Sequence, residues 1–233
     1  MMGENMSQEW QKHNRRVVEC QLCPRLVDWR LEVARVKRKA FRTQEYWGRP
    51  VPGFGDSQGK VLVVGLAPGA HGSNRTGRMF TGDASGVFLY SALYRAGFAN
   101  QGFSVNRCDG LMLNDIYISA LCRCVPPANK PTRKEIFNCR PFLQKEIKLM
   151  TELKGFVALG RMAFDNLLQI YQENYQLNLE KNEKFRHGAI YKFGDNDPWL
   201  VASYHPSQQN TQTGKLNQAM FDTIWDSVGK LLA

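Results

Sequence analysis

Residues 60–69 read Lys-Val-Leu-Val-Val-Gly-Leu-Ala-Pro-Gly. A short apolar run rich in valine that stops at Ala-Pro-Gly predicts a buried strand, because a strand covered on both faces needs no polar alternation. The pattern repeats downstream. DIYISAL at 115–121, GFVALG at 155–160 and WLVASYHP at 199–206 read as three further strands. Between them lie helical stretches at 85–96, closed by Gly97, at 132–153, opened by a Thr132/Glu135 capping box, and at 161–171. A last helix is expected over 215–232. Upstream, residues 5–40 read as one helical segment, basic towards its end (Arg35, Lys37, Arg38, Lys39), followed by a Gly- and Pro-rich loop at 46–59. Buried strands alternating with helices predict an α/β sandwich with a mainly parallel sheet. Ligands of such sheets sit beyond the C-terminal strand ends. The loops after Leu66, Leu121 and Tyr204 should therefore meet at one site.

The chain has 233 residues, 43% hydrophobic and 22% charged, which suits one packed domain over 1–233, its first 59 residues an N-terminal helical segment and loop. That composition excludes a disordered or fibrous chain. No apolar run approaches the ~20 residues of a bilayer span, so no membrane association is expected. The polar N-terminus lacks the apolar region of a secretory signal, and a cytoplasmic location is expected. A net charge of +10 points to an anionic partner, nucleic acid first.

In a reducing compartment, six cysteines are better read as metal ligands or core residues than as disulfides. Cys20 and Cys23 form a C-x2-C pair before Pro24. Cys124 precedes Val-Pro-Pro, and Cys139 follows fourteen intervening residues later. Four thiolates in this pattern suit either zinc or a [4Fe–4S] cluster. Such a site would staple the N-terminal helix to the sheet. Cys108 and Cys122 are left over.

Two loops carry unusual chemistry. Residues 65–83, GLAPGAHGSNRTGRMFTGD, match neither a Walker A loop nor G-x-G-x-x-G. Their small residues let backbone approach a ligand. Arg75 and Arg78 suit phosphates, Phe80 suits stacking on a flat ring, and Asp83 suits both a site carboxylate and the cap of the next helix. His71 is a weaker candidate. The second loop, HPSQQNTQTGKL at 205–216, sets His205 at a strand tip, and Ser207, Gln208, Gln209 and Asn210 suit phosphate contacts or insertion into a duplex. His13 and His187 lie among polar residues and read as solvated.

These loops, with CVPPANKPT and the cysteine pattern, resemble the uracil-DNA glycosylase superfamily, the iron–sulfur branches in particular; HPSQQNT with Ala67-Pro68 is most like the family five, or type B, enzymes. The resemblance runs from about Cys20 to the C-terminus. It implies a three-layer α/β/α sandwich with a central four-stranded parallel sheet. It implies a structural [4Fe–4S] cluster on Cys20, Cys23, Cys124 and Cys139, and a monomeric, monofunctional enzyme that flips a base out of double-stranded DNA and hydrolyses its N-glycosidic bond. Asp83 and His205 take the catalytic roles. Gly65, Ala67, Phe80, Asn74 and Ala120 line the base pocket, and Arg75, Arg78 and residues 207–210 bind DNA. Two departures bear on chemistry. Leu66 and Ala67 occupy positions where other branches carry a water-activating Glu or Asp. Ala120 stands where an Asn commonly reads the uracil edge, which implies a wider range of deaminated bases; Asn74 and Asn114 are the nearest substitutes. The competing expectations are an iron–sulfur DNA-binding protein without glycosylase activity and a zinc-stabilised nucleotide-binding enzyme.

Overall fold

In a computed structural model, residues 2–175, 183–194 and 197–233 are described. The strands are β1 (Phe54–Gly55), β2 (Val61–Gly65), β3 (Ile116–Ala120), β4 (Gly155–Leu159), β5 (Ile190–Tyr191) and β6 (Trp199–Ser203). They form one sheet in the order β1-β3-β2-β4-β6-β5. The inner four are parallel. Every residue of these four strands is buried, which is why each reads as an unbroken apolar run. The sheet is not purely four-stranded: β1 and β5 add antiparallel edges. Each is two residues long, too short to leave a periodic signal against its loop.

The helices are α1 (Met2–Val18), α2 (Pro24–Val36), α3 (Ser73–Thr76), α4 (Ala84–Arg95), α5 (Arg133–Leu149), α6 (Arg161–Tyr175), α7 (Gln208–Gln212) and α8 (Gln218–Leu232). Strand side chains alternate between two cores, as the period-two pleat requires. Val61, Val63, Ile118, Val157 and Val201 face α4 and α8, packing with Leu89, Leu93, Phe221 and Trp225. Leu62, Val64, Phe156, Ala158 and Leu200 face α1, α5 and α6, packing with Trp10, Leu143, Ile147, Phe164 and Leu167. That is the three-layer sandwich.

The N-terminal segment departs from one continuous helix. It breaks at 19–23, where Cys20 and Cys23 lie, and restarts with Pro24 in the first helical turn, a position that needs no amide proton. The expected 215–232 helix begins at Gln218, its Asn217 side chain accepting from the Met220 amide, while the His205 loop holds the separate single turn α7. His13 is not solvated: it is 4% exposed and lies 3.5 Å from Glu146. Glu146 also pairs with Arg123 and accepts from Ser119 Oγ at 2.7 Å. This buried cluster ties α1 to α5 and β3. His187 is also engaged, accepting the Tyr204 amide at 3.1 Å with its ring parallel to Tyr204.

Along the sheet the parallel strands run β3-β2-β4-β6, so the chain steps from β2 to one side and later to the other. The switch point lies at the C-terminal ends of β2 and β4, where open α/β sheets bind ligands. No helix among the described residues is long and apolar enough to cross a membrane.

Candidate functional site

A cavity of about 800 Å³ opens at that switch point. Gly65 and Ala120, the last residues of β2 and β3, stand in register side by side and line it. Their small side chains leave a recess. Phe80 packs over the recess: a Cβ at Gly65 would come 3.0 Å from its ring. Phe80 itself has φ +50, a conformation that bulky residues rarely adopt and that surrounding structure must enforce. Gly86 is part of that enforcement, since a Cβ there would collide with the Phe80 carbonyl. Tyr90 adds a second restraint, donating its hydroxyl to the Met79 carbonyl at 2.7 Å. The His205 ring lies 5.8 Å from Phe80, tilted 30°.

Asp83 serves two functions at once. Its Oδ1 accepts the Gly86 amide at 3.0 Å and caps α4. Its Oδ2 lies against the glycine loop: a Cβ would meet it at 3.0 Å from Gly69 and would collide with it from Gly72. Those two glycines make room for the carboxylate at the cavity wall. Burial raises the Asp83 pKa above the ordinary carboxylate range, against the lowering effect of the Gly86 and Ser85 amides and of Arg75. Burial drives His205 the other way, down to about 4, so its imidazole is neutral at pH 7. The His205 carbonyl accepts from Asn210 Nδ2 at 2.9 Å, and the Asn210 amide donates to Ser207 Oγ at 3.3 Å, capping α7. A loop of amide and hydroxyl side chains thus holds the histidine.

Gly65, Ala67, Phe80, Asp83, Ala120, His205, Ser207, Gln208 and Gln209 all line this one cavity. The other expected site residues stand elsewhere. Asn210 braces the His205 loop from behind. Arg75 is committed to the protein, donating to the carbonyls of His71 at 2.6 Å and Gly82 at 2.9 Å and to Gln44 at 2.6 Å, its guanidinium over the Phe41 ring. Arg78 points inward: it is 4% exposed and holds both oxygens of Asp109, at 2.9 and 2.6 Å, together with Ser104. Asn74 is wholly buried and donates to the Arg30 carbonyl, away from the cavity. Asn114 lies before β3, at the opposite end of the sheet from the site. Neither amide replaces an edge-reading Asn at Ala120.

His71, the weaker candidate, also lines the cavity, and so do Arg38, Phe41 and Asn129, which were not among the expected site residues. Asn129 had a signal. It follows Pro126-Pro127-Ala128, and both Ala128 and Asn129 have positive φ, a conformation Asn tolerates well.

The four expected cysteines line a second, smaller cavity. Cys20 and Cys23 come from the α1–α2 break, Cys124 from the loop after β3 and Cys139 from α5. The Arg25–Glu135 pair, two contacts of 2.7 Å, draws α2 onto α5 beside them. Asn138 Nδ2 donates to Cys23 Sγ at 3.5 Å. Burial pushes the Cys124 thiol up to about 12 and the Cys139 thiol up to about 11. Both thiols are therefore protonated at neutral pH without a ligand, and a cation bound by them would displace their protons. Among the described residues, no group of three or more His, Cys, Asp or Glu side chains is arranged for a single metal ion; the cysteines share a cavity wall instead. Cys122 is buried and Cys108 exposed, both outside that wall.

The family model described as the uracil DNA glycosylase superfamily matches residues 52–229. A type-5 uracil-DNA glycosylase of Mycobacterium leprae is 48% identical over 219 residues, 94% of this chain and 93% of that protein. One of Thermus thermophilus is 51% identical over 203 residues, 87% of this chain and 89% of its own. A type-4 uracil-DNA glycosylase of Pyrobaculum aerophilum is 33% identical over 164 residues, 70% of this chain and 74% of its own.

Proposed function

The chain belongs to the uracil-DNA glycosylase superfamily, and from that premise we propose that it hydrolyses the N-glycosidic bond of uracil in DNA, the opening step of base excision repair. The observation that carries this reading is the single cavity lined by Phe80, Asp83, Ala120 and His205. A base stacked in a duplex is out of reach of any pocket, so the nucleotide is extruded at a cost of a few kcal/mol. The flat base enters the cavity beside Ala120, with the Phe80 ring, seated on Gly65, against its face.

Breaking the bond leaves a sugar cation and an anionic base. His205, neutral through burial, donates a hydrogen bond to the base carbonyl on which negative charge grows; a donor preorganised in a dry site is worth about 3–4 kcal/mol there. A neutral imidazole keeps its proton, so it stabilises the departing base without a proton transfer. Asp83, ionised above its raised pKa, orients the attacking water, accepts its proton as the new C1′–O bond forms, and offsets the positive charge on the sugar. Leu66 and Ala67 leave no second carboxylate at the wall. Ala120 offers no amide at the end of β3, and the amides of the wall, Asn129, Gln208 and Gln209, come from loops; we read this pocket as admitting other deaminated bases, hypoxanthine and xanthine among them, and hydroxymethyluracil.

The four cysteines fit a [4Fe–4S] cluster better than one zinc ion, because a cubane spaces its thiolates around a larger body and these line a shared cavity. Cys20, Cys23, Cys124 and Cys139 would hold it. Its contribution is structural: it joins the α1–α2 break to α5 and the loop after β3. The protein acts as a monomer on double-stranded DNA in the cytoplasm, its 233 residues one functional unit.

Incubation with a uracil-containing duplex, followed by chromatography of the free base, tests the activity. Release by the wild type and loss in both His205→Ala and Asp83→Ala supports it. Tight DNA binding with no release from any deaminated base would favour the binding-only reading.

A further inference from the structure

We propose that Arg38 and His71 form a subsite for one backbone phosphate of the strand carrying the extruded nucleotide, with Tyr46 as the residue that orients His71. The inference rests on the glycosylase reading above and extends it to how the flipped strand is held.

Of the basic tract at the end of the N-terminal segment, Arg35 lies on α2 and pairs with Glu32, whereas Lys37, Arg38 and Lys39 lie beyond that helix. α2 ends at Val36, and Lys37 turns the chain with φ 57 and ψ 161, a backbone region that non-glycine residues occupy only under constraint. The turn carries Arg38 to the wall of the cavity that holds His205 and Asp83. The Arg38 side chain is exposed, and its guanidinium makes no ion pair or hydrogen bond with a described residue. Arg75, one layer deeper, has its donors spent on the protein.

His71 faces the same cavity and is oriented by a short relay. The Arg38 amide donates to the Tyr46 hydroxyl at 3.3 Å. That hydroxyl lies 3.1 Å from His71 Nδ1, and in the proposed subsite it donates its proton to the ring. Nδ1 is then the acceptor, and the imidazole proton sits on Nε2, which has no described protein partner. Burial and the neighbouring Arg38 and Arg75 charges keep the ring neutral. Among the described residues, the one carboxylate of the lining, Asp83, accepts from the Gly86 amide through Oδ1. One unpaired guanidinium and one neutral N–H at the mouth suit a singly charged phosphodiester. The buried Ala120 and Phe80 end suits a base.

The test uses duplexes with a single uncharged methylphosphonate at each phosphate flanking the uracil. Binding is measured with Asp83→Asn in the background to keep the base attached. The parent should lose about tenfold in affinity at one flanking phosphate. Adding Arg38→Ala should cost about tenfold on unmodified DNA, lower the salt slope by about one, and abolish sensitivity to that methylphosphonate. Tyr46→Phe should weaken the same coupling with the fold intact by circular dichroism. With Asp83 restored, Arg38→Ala should raise KM more than it lowers kcat. Indifference of the parent to every flanking methylphosphonate, or a further full loss in Arg38→Ala at the same phosphate, would overturn the subsite. Absence of base release by the wild type on unmodified DNA would instead overturn the glycosylase reading, independently of the coupling.

Discussion

Asp83 and His205 are driven by the same burial to opposite protonation behaviour. The carboxyl is held above its usual ~3.9 and the imidazole down to about 4. On the mechanism proposed above, the active form carries ionised Asp83 and neutral His205. Single-turnover base release should therefore fall as pH drops through a value above the ordinary carboxylate range, with no matching limb from His205 until near pH 4. The Asp83→Asn variant should be slow at every pH and lack that acid limb; an unchanged limb would assign it to another group. His205→Ala should cost about 10²–10³ in rate while the protein stays folded by circular dichroism, because the ring packs on Phe80 but caps no helix. Which residues line the cavity was only partly legible in sequence. The types Phe80, Asp83 and His205 stood out by chemistry, whereas Arg78 and Asn74 sit in the same loop and point into the core. Spacing in a loop without periodicity does not say which way a side chain faces.

The element that matters most is the glycine loop feeding α4. Gly72 and Gly69 clear space for Asp83 Oδ2, and Gly86 clears space for the Phe80 carbonyl. Gly72→Ala should displace the carboxylate and lower base release by about 10²-fold, the scale of an ångström misplacement, while the protein stays folded by circular dichroism. Wild-type rates in that variant would contradict the assignment. The four central strands were readable because burial on both faces leaves continuous apolar runs. The edge strands β1 and β5 were not, since two residues carry no period. The α1–α2 break was masked by helix-forming residues on both sides, with Pro24 its only mark. The fate of the 37–41 segment was hidden for a related reason: the positive φ of Lys37 falls on a residue that does not advertise it.

At the scale of the molecule, two stapling systems hold the N-terminal helices to the sheet. One is the His13–Glu146–Arg123 cluster, with Ser119. The other, on the reading proposed above, is the cluster that Cys20, Cys23, Cys124 and Cys139 would hold. Protein purified without air should be brown and contain iron and acid-labile sulfide in equal amounts, and Cys23→Ala should lose both and melt at lower temperature. Stoichiometric zinc in their place would contradict the cluster. The +10 charge predicts DNA affinity that falls steeply with salt, by about 0.9 in log K per log salt for each phosphate neutralised. The most direct test of the shared cavity is single-turnover release of free uracil from a duplex bearing one uracil opposite guanine. The wild type should release it and leave the strand unbroken until alkali is added, while Asp83→Ala and His205→Ala, each folded, should be slower by at least about 10². Release by both variants at the wild-type rate would contradict the account.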